Sequence, residues 1–567
     1  MLPSTRLDYS NNNHLLRPII RVDFCLFKKM FDLVKTRPIL VLAVIVSNIL
    51  LSAWCLSQDP IINNDGVTYI AIARLIVDGQ WQLALEYYNW PYYPLLLASV
   101  SKLLLIDLEL AAHGLNVFFI IVLCFGFICT VSVLTSVPLS LSSSVPTSVP
   151  SKHNANTNKN HQRIVLIAAL VIVLFPSITK YRSFIIRDFA YLSCYIWSLY
   201  FIFKYCHSGR LTHLFSWLGF AIIGCLFRFE SIAFVLMTPY FYSLVSKPDV
   251  QIRRPILMLL ISVLATTCIA LFWWYANEKY AATIAYAQSN GENINNLWDL
   301  FFANTASENN QSFTFGIFIQ QSLNNMGTVA YELARRMAVV YLIFSIVAYT
   351  KNLVLKKGAQ TQVWLCYVFI NLLILVGFSF FNNFLVSRYT LATAITLLLL
   401  SPFAINRLIE YLTASNGAAK SNAVKKTSLV FFTLILLAIS FERLNIETDK
   451  LPRKEAGLWL AKNVSPDAKI FSTDKIINYY AGRNIEDTER VPHSYKSLQN
   501  AFFSKQIKSE DYIAFVTDFS IESHRIMWQT LTYHFGTPIK RMKINDQDSV
   551  VIYSHHKSNL KTLNLRY

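Results

Sequence analysis

Two aspartates are the acids best placed for chemistry in this sequence, because each opens a helical pattern beside an apolar stretch. Asp65 stands in NNDGVTYIAIARLIVDGQW, residues 63–81, and Asp188 in KYRSFIIRDFAYL, residues 180–192. A carboxylate held there can orient or deprotonate a hydroxyl, or bind a divalent ion that does so. Asp65 also reads as an N-cap accepting backbone N–H bonds, a role that lowers a carboxyl pKa and is compatible with catalysis. Tyr69, Ile70, Ala73, Ile76 and Val77 share one face of the helix that follows, and Gly79 suits its stop. Asp59 is the competing acid, but Pro60 marks it as a turn residue.

Cations gather near these acids. Lys180, Arg182 and Arg187 crowd the segment before Asp188, and Arg388 with Tyr389 opens an apolar run in NNFLVSRYTLA. Such groups suit an anionic lipid phosphate, while phenols such as Tyr69 and Tyr389 suit a sugar or acceptor hydroxyl. Snorkelling of long side chains to the interface is the competing reading. Arg228 and Glu230, in CLFRFES, fall at a sharp turn between two apolar runs. Residues two apart do not face each other on a helix, so each is expected to find another partner. Ionisable groups at membrane depth default to a functional role, and a structural ion pair closing the short hairpin is the equal alternative. The chain has no GxxxxGK(S/T), HExxH or GxSxG, so nothing marks a nucleotide, zinc or serine-hydrolase site. Its nine cysteines lack metal-ligand spacing and lie in apolar runs or beside basic loops, which argues against structural zinc or a disulfide framework.

The elements that position these groups are membrane helices. Of the 567 residues 54% are hydrophobic and only 15% charged, against about 25% charged in a soluble protein. Spans are expected at 38–57, 111–134, 164–178, 188–205, 213–227, 229–246, 255–275, 332–350, 361–381, 389–405 and 428–441, about eleven in all. The net charge of +18 is gathered in short segments between these runs, as expected of cytoplasmic loops, and no basic stripe with interleaved aromatics points to nucleic acid. Alternation then gives a cytoplasmic segment 1–37, a transmembrane unit 38–441 with outer-face loops at 58–110 and 276–331, and an outer soluble α/β domain at 442–567. The first loop holds two surface helices, 66–79 and 91–106. The tail shows a helix in RKEAGLWLAKNV and strands in AKIFST, YIAFVT and SVVIYS. The fold class is thus mainly α, a polytopic helical bundle with a C-terminal α/β domain.

In their order and membrane sidedness, several segments resemble the GT-C membrane glycosyltransferases. They are NDGVTYIAIAR, WPYYPLLLASVSKLL, RSFIIRD, RFES, SRYTL and AGLWLAKN with YYAGR, spread over residues 38–485. The nearest branch is the protein O-mannosyltransferase-like group, which includes lipid A aminoarabinose transferases. The resemblance implies a sugar moved, with inversion, from a polyprenyl-phosphate donor to a lipid, polysaccharide or protein hydroxyl on the outer face. It implies Asp65 as the essential acid, with Asp188 as second carboxylate and Lys180, Arg182, Arg187 and Arg388 on the phosphate. Tyr69, Tyr389, Arg228 and Glu230 would serve sugar and acceptor, and a divalent cation on Asp65 is a further candidate. The family pattern has an acid beside Asp65, where this chain has Gly66, which puts a two-carboxylate role within this loop in question. An inner (plasma) membrane location is expected, with a cytoplasmic N-terminus and a periplasmic tail; an endoplasmic reticulum membrane would give the same topology.

A non-catalytic lipid or glycan transporter or flippase is the alternative; it would favour an internal repeat with broken helices, and no clear repeat is seen. The topology predicts that a reporter fused after Tyr567 is active only if it works outside the cytoplasm. Strong signal from a cytoplasm-only reporter would overturn the span count.

Overall fold

The computed structural model describes residues 37–135 (except 89), 152–245, 315–354, 358–382, 385–414, 450–483 (except 467 and 473) and 511–554 (except 520, 546 and 547), with isolated positions in 260–267 and 427–438. The expected spans at 255–275 and 428–441, most of the loop 276–331, the N-terminal 36 residues and the boundary at 442 lie outside the described residues.

The first helices follow the apolar pattern. They are α1 (Pro38–Gln58), α2 (Asn64–Val77), α3 (Trp81–Tyr87), α4 (Tyr92–Leu104) and α5 (Leu108–Thr135). The expected surface helices are α2 and α4. At 13 residues α4 is about 20 Å long, too short to cross some 30 Å of hydrocarbon. It ends in exposed Leu103, Leu104 and Leu105, an apolar tip suited to the interface.

Next come α6 (Lys152–Val173), the short α7 (Pro176–Lys180), α8 (Asp188–Ser208), α9 (Leu211–Phe227), a 3-10 turn (Phe229–Ser231) and α10 (Ile232–Val245). Helix α8 is buried around nearly its whole circumference and packs against α5 and α9, as expected of a helix apolar on all sides. Its approach to α5 depends on Gly126, where a Cβ would stand 2.5 Å from Ile196 Cγ2 and 3.0 Å from Trp197 Nε1.

The later helices correct two expected spans. The apolar run at 332–350 is not one straight helix: α11 (Phe315–Arg336) and α12 (Val340–Thr350) meet at 101°. Ala338 and Val339, both at φ 51°, make the break. After α13 (Ala359–Asn382), the run at 389–405 divides into a 3-10 turn (Ser387–Thr390), α14 (Leu391–Leu398) and α15 (Ser401–Ala414), with a bend of 46°. Pro402 explains this break, since it has no N–H to donate and its ring crowds the preceding turn. Among the described residues, four helices are long and apolar enough to cross a membrane, or six if each bent pair counts as one. This is a multi-pass membrane fold.

The C-terminal residues form an α/β layer: α16 (Lys450–Asn463), β1 (Ile470–Ser472), α17 (Lys475–Tyr480), β2 (Tyr512–Thr517), α18 (Glu522–Phe535), β3 (Lys540–Lys543) and β4 (Ser549–Ser554). The sheet order is β1-β2-β4-β3, with β1 and β2 parallel and the other pairs antiparallel. Alternation along β4 sends Val550 and Ile552 towards α16 and α17, and Val551 and Tyr553 towards α18. The three expected strands are present. The fourth, KRMK, is a charged edge strand without an apolar signature.

Substituting Gly126 by Leu should drive a side chain into Ile196 and Trp197 and destabilise the fold by about 1–3 kcal/mol or more. A lower thermal midpoint of the detergent-purified protein would show it, and an unchanged midpoint would mean that α5 and α8 do not meet there.

Candidate active site

Four separate segments bring their charged ends to one end of the bundle. Helix α2 begins at Asn64, so Asp65 lies in its first turn, where a negative charge meets the positive end of the helix dipole. The N-cap is Asn63, not Asp65, which corrects the capping expectation. Asn63 uses its side chain elsewhere: Oδ1 accepts from Ile185 N at 2.8 Å and Nδ2 donates to Ile185 O at 3.3 Å. These bonds zip the start of α2 to the segment leading into α8. Gly66 lies in this seam, and a Cβ there would stand 2.9 Å from Ile62 Cγ1 and 3.0 Å from Ile185 Cβ. Close packing therefore leaves no room for a second acid beside Asp65.

The second carboxylate comes from Asp188, at the start of α8. Arg388, in the 3-10 turn before α14, donates from Nη1 to Asp65 Oδ2. Its Nε lies 3.9 Å from Asp188 Oδ2. Arg228 Nη1 donates to Asp188 Oδ1 at 2.6 Å and Nη2 to Glu230 Oε1 at 3.1 Å. So Arg228 has another partner in Asp188, as the spacing implied, and also pairs with Glu230, as the hairpin-closing alternative had it. The reason is that Arg228 is extended (φ −146°, ψ 119°) and Glu230 sits in a 3-10 turn, where helical spacing does not hold.

The result is an alternating chain: Asp65, Arg388, Asp188, Arg228, Glu230. Its members differ in access. The Asp188 side chain is 7% exposed and the Asp65 side chain 34%. Aromatic rings line the chain, with Tyr389 4.1 Å from the Arg228 guanidinium carbon and Tyr191 5.6 Å from it. A pocket of about 180 Å³ opens here, lined by Asp65, Thr68, Tyr69, Tyr88, Arg187, Asp188, Arg228, Arg388 and Tyr389. Arg187 donates to Tyr88 Oη at 2.8 Å and, among the described residues, forms no ion pair with a carboxylate. Burial pushes the Tyr69 phenol well above its usual pKa, with Arg187 pulling the other way. Tyr69 is therefore a neutral donor at ordinary pH.

Lys180 and Arg182, expected on the phosphate, do not line this pocket. Arg182 turns into the bundle, 2% exposed, and donates to Ser52 Oγ at 3.2 Å and Val173 O at 2.9 Å. It caps the carbonyl end of α6. Lys180 lies at the end of α7, 5.9 Å from the Tyr181 ring centroid. Two lining residues were not expected. Thr68 follows Asp65 by three positions, a helical spacing that could have found it. Tyr88 comes from the return after α3, and no local pattern marks it.

The donor set does not fit a divalent cation. Among the described residues no three His, Cys, Asp or Glu side chains converge as metal ligands, and Asp65 and Asp188 both face guanidinium groups. The lining instead sets three guanidiniums against two carboxylates, which suits an anion.

Fold and pocket together define a multi-pass membrane protein with a pocket whose lining carries a net positive charge. No protein-family model and no curated protein matches the sequence. Among solved structures the chain is similar to the crystal structure of ArnT from Cupriavidus metallidurans in the apo state, with 11% identity, TM-score 0.46 and coverage of 91% of this chain and 98% of that one. It is also similar to the same protein bound to undecaprenyl phosphate, with 10% identity, TM-score 0.45 and coverage of 90% and 97%. At that level of likeness, function has to be argued from the pocket.

Asp188→Ala should leave Arg228 buried without its main partner, at a cost of about 3–5 kcal/mol. Folded yield and thermal midpoint should fall sharply, whereas Asp65→Ala, at the exposed end of the chain of charges, should be mild. Equal effects would mean that the two acids share one environment.

Proposed function

We propose that this protein is an integral membrane glycosyltransferase that moves a sugar from a polyprenyl-phosphate donor to a hydroxyl of a lipid, glycan or protein acceptor. The observation that carries this reading is the pairing of an accessible carboxylate, Asp65, with guanidinium groups that still have donors to offer. Arg187 spends one N–H on Tyr88, and Arg187 and Arg388 both line the pocket. The lining's excess of one positive charge suits the single negative charge of a phosphodiester.

In the proposed reaction the acceptor hydroxyl gives its proton to an Asp65 oxygen. The hydroxyl oxygen bonds to the anomeric carbon, and the bond from that carbon to the phosphate oxygen breaks. The electron pair leaves with the phosphate, whose growing charge Arg187 and Arg388 compensate. Attack opposite the leaving group inverts the anomeric centre. Asp188, buried between Arg388 and Arg228, acts as a positioning residue that orients both. Tyr69 and Tyr389 offer hydroxyl groups to the sugar or acceptor, and Glu230 holds Arg228. No step is routed through a metal. The reading goes with an outer-face site and with a periplasmic C-terminal layer, the topology that the loop charges predict.

A lipid flippase is the second reading, favoured by the two bent helix pairs. Turnover separates the two. With sugar-loaded polyprenyl phosphate, purified protein should release polyprenyl phosphate in the presence of acceptor. Asp65→Asn should reduce that release by on the order of 10²-fold or more, the scale of lost acid–base catalysis. It should keep the fold, since Asn still accepts from Arg388. Near-normal turnover in this variant at equal folded protein would remove Asp65 from the chemistry, and lipid translocation without release would favour the flippase.

A further inference from the structure

The α/β layer touches the bundle at the segments that build the pocket. Lys450, at the start of α16, places Nζ 2.9 Å from Asp59 Oδ2. The pair is largely buried, with side chains 6% and 14% exposed. The same Asp59 oxygen accepts from Ser183 Oγ at 3.4 Å, and Lys450 Nζ lies 4.3 Å from the Phe184 ring centroid. One ion pair thus joins the end of α1, the segment 181–187 and the α/β layer. Beyond it, Asn116 donates to the Phe184 carbonyl and Asn63 holds Ile185 at both N and O. Two and three residues further on are Arg187 and Asp188.

Neighbouring contacts grip the same region. Ile62 N donates to Tyr480 Oη at 3.3 Å, Lys475 Nζ to the pocket residue Thr68 at 3.3 Å, and Tyr479 Oη to Glu109 at 2.8 Å. A mere tether would be served by bonds on the solvated rim. A charge pair taken out of water carries a desolvation cost, so separating its partners is costly and the pair fixes geometry.

We propose that Asp59 and Lys450 are positioning residues, through which the α/β layer sets the course of residues 181–187 and so the placement of Arg187 and Asp188. Asp59 is then not the passive turn residue that Pro60 implies. Only the link to lipid binding rests on the donor reading above.

The test uses the full-length protein in lipid nanodiscs and two mild variants, K450M and D59N, with K450R as the conservative control. Hydrogen–deuterium exchange is read at the amides of 183–187, in the core of α8 and in β2. Undecaprenyl phosphate is titrated as the lipid probe. In both variants exchange at 183–187 should accelerate by about tenfold or more, the scale of a lost local interaction. The cores of α8 and β2 should stay unchanged and K450R should stay near wild type. Affinity for undecaprenyl phosphate should fall in parallel. Unchanged exchange at 183–187 overturns the proposal. So does acceleration spread equally over α8 and β2, which marks general destabilisation, and so does a loosened segment with unaltered lipid affinity. If the segment loosens but wild-type protein does not bind the lipid, the donor reading fails and the positioning role stands.

Discussion

The site depends on one constraint: charges at the edge of an apolar bundle must neutralise one another. Asp65, Arg388, Asp188, Arg228 and Glu230 satisfy it as a chain of alternating sign. Each inner member is held from two sides, and only the ends retain freedom. Asp65, the exposed end, is the acid to which the proposed reaction gives the proton. Asp188, in the middle, is too enclosed for that and serves geometry. Charges in such surroundings interact strongly and are costly to isolate, so the loss of an inner member should be felt as instability and the loss of an end as lost chemistry.

The helices are interrupted where this chain of charges needs them to be. Asp65 and Asp188 each lie in a first helical turn, which favours a carboxylate. Arg228 and Arg388 lie at 3-10 turns between helices, where the backbone changes direction and a side chain is released from the periodicity of a helix face. The seam between residues 59–66 and 181–188 then holds two of these segments in register. It is narrow enough to exclude a Cβ at Gly66, and that packing sends the second carboxylate to α8 rather than to a neighbour of Asp65.

The α/β layer packs against segments that neighbour this arrangement. It meets the bundle through Lys450, Lys475, Tyr479 and Tyr480, which contact residues 59, 62, 68 and 109. The layer is not a separate appendage, since its contacts fall on the segments that carry Asp65 and Arg187.

Much of this was legible in the chain. A charge is costly within an apolar run, so Asp65, Arg187, Asp188, Arg228 and Arg388 stand out wherever they occur, and the structure brings them to one pocket. Helix α8 and the strands β1, β2 and β4 were legible for a related reason: burial on all sides demands continuous apolar sequence. Direction was not legible. Arg182 and Arg187 look alike in sequence, yet one turns inward to cap α6 and the other reaches the pocket, because only packing decides which space a long side chain fills. Neither was the 101° bend between α11 and α12, whose sequence holds no glycine or proline at the break. Composition and periodicity determined that charged helix ends flank membrane spans. Which charge meets which was left to tertiary structure, because Asp65 and Arg388 are 323 positions apart and no local preference reaches that far.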